Sequence, residues 1–134
     1  MIDSRTEKIM DKNMETPVIY QRLDGVVLFL TSLYFYHYLH FNIFLFILIL
    51  LTFDIFMLGY LINNKFGAHG YNIGHSLSVP LLILVLGVAV NYRISIGLSL
   101  IWIAHIGFDR TLGYGLKFTT GFNDTHLGHI GKKK

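Results

Sequence analysis

The sequence predicts an all-α membrane protein, an antiparallel bundle of four transmembrane helices with both termini in the cytoplasm. Three observations lead there. Of the 134 residues, 53% are hydrophobic and 14% charged, too apolar for an ordinary soluble domain, and the chain is too short for two domains. From Gly25 to Phe108 the only charged residues are Asp54, Lys65 and Arg93, so the apolar stretch divides into spans of about 20 residues, enough to cross a bilayer. Arg5, Lys8, Lys12, Arg22, Lys65, Arg110, Lys117, Lys132, Lys133 and Lys134 fall on the side of the termini, and Arg93 alone on the other. By the positive-inside rule both ends are cytoplasmic. The net charge of +3 then reflects topology and attraction to anionic lipid headgroups, and no motif supports a nucleic-acid partner.

The elements follow in chain order. Residues 1–20 are polar and of mixed charge and read as a mobile or surface-lying arm. Residues 21–116 form the membrane domain, with helices expected over 22–39, 42–62, 72–90 and 94–112. The first helix ends in Tyr34, Phe35, Tyr36 and Tyr38, an aromatic belt at the headgroups, and His37 and His40 belong to that belt rather than to a site. The turns near 39–41 and 91–93 are so short that successive helices must be antiparallel neighbours. A longer cytoplasmic connection is expected over 63–71. In the third helix Gly70, Gly74 and Ser78 recur every four residues, a spacing that lets a neighbouring backbone approach closely. Pro80 should kink that helix, because it cannot donate to the carbonyl of Ser76. Residues 117–134 read as a glycine-rich cytoplasmic tail. The first apolar run begins only at Gly25 and no cleavage pattern follows it, so the first helix is expected to stay attached. The absence of cysteine removes disulfides, thiolate metal sites and a cysteine nucleophile.

Asp54 is the residue that demands an explanation. An ionised side chain at a helix centre costs about 2.5–3.5 kcal/mol, so such a residue usually faces a protein interior and often serves a function. Counting from the expected cytoplasmic helix ends, His75 and His105 lie about 5 Å inside the boundary and Asp54 about 12 Å. Asp109 marks the boundary itself, four residues after His105 and on the same helical face. Asp54, His75, His105 and Asp109 form a donor set that suits zinc or another divalent metal, with a position left for water. Such an ion would generate a nucleophile for hydrolysis. In the tail, Asp124 and His126 are candidates for proton transfer. Arg110, Lys117 and Tyr114 are candidates for holding the substrate. The competing reading is a closed hydrogen-bond network that ties helices together, with Asp109 and Arg110 as an exposed helix-end pair. Trp102, one turn before His105, reads as packing.

The strings FDIFMLGYLIN, GAHGYNIGHSLSVP, IWIAHIGFDRTLGYGLKF and GFNDTHLGHIG resemble the small bacterial membrane proteins grouped as domain-of-unknown-function family 4260. The resemblance covers roughly residues 22–131 and implies the same four-helix architecture in a bacterial cytoplasmic membrane, without an activity. The family pattern has counterparts of Asp54, Tyr60, Asn63, Gly67, Tyr71, Asn72, His75, Pro80, His105, Asp109, Arg110, Tyr114, Lys117, Asp124 and His126, and this sequence keeps each. The extended N-terminal arm departs from it.

Several function classes remain open on this basis. The leading one is a metal-dependent hydrolase that opens to the cytoplasm and acts on a lipid-like substrate. An alternative is a carrier of protons, ions or a small solute in which Asp54 titrates, which four helices could serve only as an oligomer. A third uses His75 and His105 as axial ligands of a haem. The last is a structural membrane subunit with a purely architectural polar core.

Overall fold

The computed structural model describes residues 3–130, without the side chains of 7–14. Lys132, Lys133 and Lys134, which carry part of the expected charge asymmetry, and the end of the expected tail lie outside the described residues. The chain is mostly helical. Helix α1 covers Ser4–Tyr38, α2 Ile43–Leu50, and a 3-10 helix continues from α2 over Leu51–Leu61. Helices α3, α4 and α5 cover Asn64–His75, Ser78–Ala89 and Arg93–Leu112. A two-stranded antiparallel hairpin, β1 Asp124–Thr125 and β2 Gly128–His129, closes the chain.

Among the described residues three stretches are long and apolar enough to cross a membrane: Glu15–Tyr38, Ile43–Leu61 and Asn64–Ala89. Their outer surfaces carry exposed Val27, Leu30, Phe44, Ile47, Leu48, Leu82 and Val85, an apolar surface consistent with association with a lipid bilayer. Helix α5 is the exception. Arg93, His105, Asp109 and Arg110 lower its hydropathy, yet residues Ser99 to Gly107 are buried almost without interruption. It packs against α1 along much of its length and also touches α2, the 3-10 helix and α4. The polar helix is thus the enclosed one, and the apolar helices cover it.

Close approach of α1 to α5 depends on two glycines. A Cβ on Gly25 would stand 2.6 Å from the Gly107 carbonyl oxygen, and one on Gly107 would stand 2.7 Å from the Gly25 carbonyl oxygen. The expected stripe of Gly70, Gly74 and Ser78 acts differently. Gly74 leaves room for the Phe56 ring, and Ser78 belongs to the next helix.

The turns are capped by their own side chains. Asn42 accepts the backbone N–H groups of Phe44 at 2.8 Å and Leu45 at 3.3 Å, which starts α2. Asn63 does the same for Phe66 at 2.9 Å and starts α3. The short turns 39–42 and 90–92 lie together, because the Arg93 guanidinium donates to the Leu39 carbonyl at 2.8 Å and sits over the Phe41 ring. His40 and Asn91 take positive φ of 57° and 54° in these turns.

Three differences from the sequence reading matter for the site. The polar stretch before Arg22 is helical from Ser4 and continuous with the first apolar run. Residues 64–71, expected as a loop, are the first two turns of α3, since the Asn63 cap starts the helix eight residues earlier than expected. The kink expected at Pro80 is a full break: Ser76 is extended, with φ −84° and ψ 132°, and α4 starts afresh at Ser78. The missing proline N–H leaves nothing to carry the helix across Ser76.

Gly107→Val should drive a side chain into the α1 backbone and cost about 1–3 kcal/mol. Thermal unfolding of detergent-solubilised protein, followed by circular dichroism, checks this, with the lipid-facing Leu82→Val expected to leave the midpoint unchanged.

Candidate metal centre

Asp54 reaches the site from the 3-10 helix, His75 from the last turn of α3, and His105 and Asp109 from α5. At about 2.0 Å per residue, Asp54 lies roughly 14 Å from the Leu61 end. His75 lies about 16 Å from the start of α3 and His105 about 10 Å from the end of α5. His75 lies farther along its helix than expected because α3 begins eight residues earlier than the sequence reading placed it, whereas α5 ends at Leu112 as expected and the smaller figure for His105 came from counting only to Phe108.

A 3-10 helix eclipses residues three apart, and runs beyond three or four residues are uncommon. Here the period separates two rows. Phe53 and Phe56 stack on Trp102 with centroids 5.0 and 5.6 Å away. Asp54 and Met57, one residue on in each case, line the cavity on the other row. An α-helix would rotate each successive member of such a row away from its partner.

The four donor groups converge tightly. His75 Nε2 lies 3.0 Å from His105 Nε2, 3.1 Å from Asp109 Oδ2 and 4.0 Å from Asp54 Oδ1. His105 Nε2 lies 3.5 Å from Asp54 Oδ1 and 3.8 Å from Asp109 Oδ2. A tetrahedron of ligands about 2.0–2.1 Å from a central ion has edges of about 3.3 Å, within the range of these separations. The group could therefore hold a metal ion.

Its hydrogen bonding favours a cation at the centre. His75 Nδ1 lies 2.9 Å from the Tyr71 carbonyl, which can only accept, so Nδ1 carries the proton and Nε2 presents a lone pair. His105 Nε2 lies 3.0 Å from that lone pair, so it either donates a proton to it or faces an ion with it. Two imidazole lone pairs and two carboxylates facing one another repel unless a proton or an ion lies between them. The same 3.0 Å between the Nε2 atoms leaves no room for a porphyrin, which removes the haem reading.

The second layer centres on Tyr71. Its hydroxyl donates to Asp109 Oδ2 at 3.2 Å and its ring stacks on His75 at 3.7 Å. One residue thus orients two of the four donors, the arrangement that usually tunes a metal site. Trp102 donates its indole N–H to the Gly74 carbonyl, an orphan left by the end of α3. Trp102 is packing, as the sequence reading had it.

The histidines are almost fully buried, and the side chains of Asp109 and Asp54 are 14% and 47% exposed, so the group opens on the Asp54 side. A cavity of about 300 Å³ lies there, lined by Asp54, Met57, Tyr71, Asp109, Tyr114, Lys117, Phe122 and Ile130. Two of the expected substrate-binding residues, Lys117 and Tyr114, are among them. Arg110 is not; it lies against α1 at Gly25, near Asp24. The expected pairing of Asp109 with Arg110 is thus replaced by the pairing of Asp109 with His75 and Tyr71.

The glycine-rich segment is built in rather than loose. Asn72 clamps the Lys117 backbone from both sides, donating to its carbonyl at 2.8 Å and accepting its N–H at 2.7 Å. His126 Nδ1 accepts the Leu116 N–H at 2.8 Å, and Nε2 lies 3.1 Å from Gln21 Oε1. Asp124 receives the Thr120 hydroxyl at 2.7 Å and meets His129 Nδ1 at 2.9 Å. Asp124 and His126 hold the hairpin together, and neither lines the cavity beside the metal group.

Lys117 is 5% exposed. Burial pushes its ammonium down to about 8, against the pull of Asp109 and Asp54, which favour the charged form. Tyr71 and Asn72 entered the sequence reading only as matches to the family pattern and not as candidate site residues. The Tyr71–His75 spacing was the available signal for the first; the partner of Asn72 lies 45 positions away and left none.

The model of the family described as "Domain of unknown function (DUF4260)" matches residues 18–130, and the chain belongs to that family. No curated protein and no solved structure matches it.

In metal-free protein, NMR of ¹³C-labelled lysine should find Lys117 titrating near pH 8. The unfolded chain holds that proton up to about 10.5, so stability should rise as pH increases from about 8 towards 10.5, and Lys117→Met should remove the rise. A Lys117 midpoint near 10.5 would mean that the ammonium stands in water.

Proposed function

We propose, for a member of a family to which no activity is attached, that the chain is a metal-dependent hydrolase of the bacterial cytoplasmic membrane acting on a lipid-like substrate. The observation that carries the reading is the convergence of His75, His105, Asp109 and Asp54 at ion-binding separations beside an open cavity. Zinc suits two imidazoles and two carboxylates at this spacing. His75, His105 and Asp109 supply the closest donors, in the three-ligand pattern that leaves a position for water. Asp54, the most exposed, borders the cavity and either completes the shell or takes the proton of the attacking water. A bound divalent ion would lower the pKa of that water and polarise the scissile group. Lys117 and Tyr114 hold the substrate from the opposite wall.

The proposed setting has four crossings, α5 included, with both termini cytoplasmic. Support comes from the short turns held together by Arg93 at one end and the polar tail at the other. The apolar outer surface gives a lipid substrate a lateral approach.

Purified wild type should carry about one divalent ion per chain by elemental analysis, and His75→Ala or His105→Ala should abolish it. Asp54→Asn should retain most of the metal and lose hydrolysis. Metal-free wild type from metal-replete cells, or unchanged content in both histidine variants, would sink the metal reading.

Topology is open to single-cysteine labelling, because the chain has no cysteine of its own. In intact cells an impermeant maleimide should label Val90→Cys and leave Thr119→Cys untouched until the membrane is opened. The reverse pattern would invert the proposed orientation.

A further inference from the structure

The cavity wall opposite the metal group carries Lys117, a cation with no ion-pair partner among the described residues. Lys117 Nζ donates to the Phe122 carbonyl at 2.9 Å and lies over the rings of Phe122 at 3.2 Å, Tyr71 at 4.6 Å and Tyr60 at 5.6 Å. No carboxylate among the described residues comes within ion-pair distance of it. Phe122 accepts one of its three ammonium hydrogens, and the others have no oxygen or nitrogen acceptor among the described residues. The Asn72 clamp fixes its backbone, so the charge is held in place. Beside it the Tyr60 hydroxyl is buried without a hydrogen-bond partner. A buried ammonium in such a setting calls for an anion.

The charge of that anion follows from the ligand set. A divalent ion held by two neutral imidazoles and the carboxylates of Asp54 and Asp109 has no net charge, so Lys117 leaves the cavity one positive charge in excess. A single negative charge balances it. A phosphomonoester dianion would leave one negative charge unmatched, and a neutral carboxylic ester would leave Lys117 unpaired.

We propose that the substrate is a phosphodiester, its one anionic oxygen on Lys117 and its phosphorus at the His/Asp group; this rests on the metal-hydrolase reading above. The oxygen of water bonds to phosphorus and the P–O bond to one alcohol breaks. That alcohol leaves with one water proton, and the other stays on the phosphomonoester until it ionises into solvent. A phospholipid headgroup and a soluble diester share this chemistry.

The test uses full-length zinc-loaded protein in detergent with three probes: bis(p-nitrophenyl) phosphate, p-nitrophenyl phosphate and p-nitrophenyl butyrate. The diester should be turned over at least about tenfold faster than the others in kcat/KM. Lys117→Gln should lose about tenfold, chiefly in KM and with unchanged zinc content, and Lys117→Arg should recover much of it. Phosphatidylglycerol vesicles separate the sources: turnover in vesicles assigns the lipid headgroup, and turnover of the soluble probe alone assigns a soluble diester. Zinc-dependent hydrolysis of the butyrate ester without the diester would overturn the substrate class and leave the hydrolase reading standing. Equal diester turnover in Lys117→Gln would overturn the role of Lys117. Failure on every probe by zinc-loaded protein would bring down the hydrolase reading and this inference with it.

Discussion

Two imidazole nitrogens 3.0 Å apart, close to two carboxylates, set the electrostatic problem around which this chain is folded. In a low-dielectric interior such a group is strongly repulsive without a cation or proton at its centre. Much of the local architecture keeps it in place. The Tyr71 carbonyl fixes the His75 tautomer and the Tyr71 hydroxyl steadies Asp109. Trp102 secures the end of α3, and the Phe53 and Phe56 rings behind Trp102 hold the 3-10 helix that presents Asp54.

A polar group of this kind changes which helix belongs in the middle. Helix α5, the long helix that contributes none of the three stretches apolar enough to cross a membrane, would be a poor one to face lipid and is the most enclosed. Small residues make the enclosure possible: Gly107 meets Gly25 of α1 backbone to backbone, and Ser99 and Ala104 keep the remaining surface narrow. Hydropathy alone would rank α5 as the least membrane-like element, and packing explains why its polar side chains are tolerated.

The tail turns from an appendage into part of the cavity wall. Its hairpin is tied down by side chains far away in sequence: Asn72 of α3 grips Lys117, and Gln21 of α1 meets His126. Asp124 and His126, which looked like mobile catalytic candidates, act in the described structure as the struts of that hairpin. Beside them stands Lys117, the ammonium on the wall of the cavity that Asp54 and Asp109 also line.

The sequence by itself determined the class of environment, the helical content and the identity of the four donors, because hydropathy and the rarity of charge in apolar runs are properties of the chain alone. It also located the short turns and the interruption near Pro80, since a missing N–H acts wherever the residue sits. Tertiary structure decided the rest. The start of α3 depended on the Asn63 cap, the depth of His75 depended on that start, and the 3-10 winding around Asp54 is favoured by the rings it packs against rather than by local propensity. The placement of Arg110 against α1 and of Lys117 in the cavity likewise followed from contacts between residues distant in the chain. Burial and charge pairing are made between elements, and no spacing within one element encodes them.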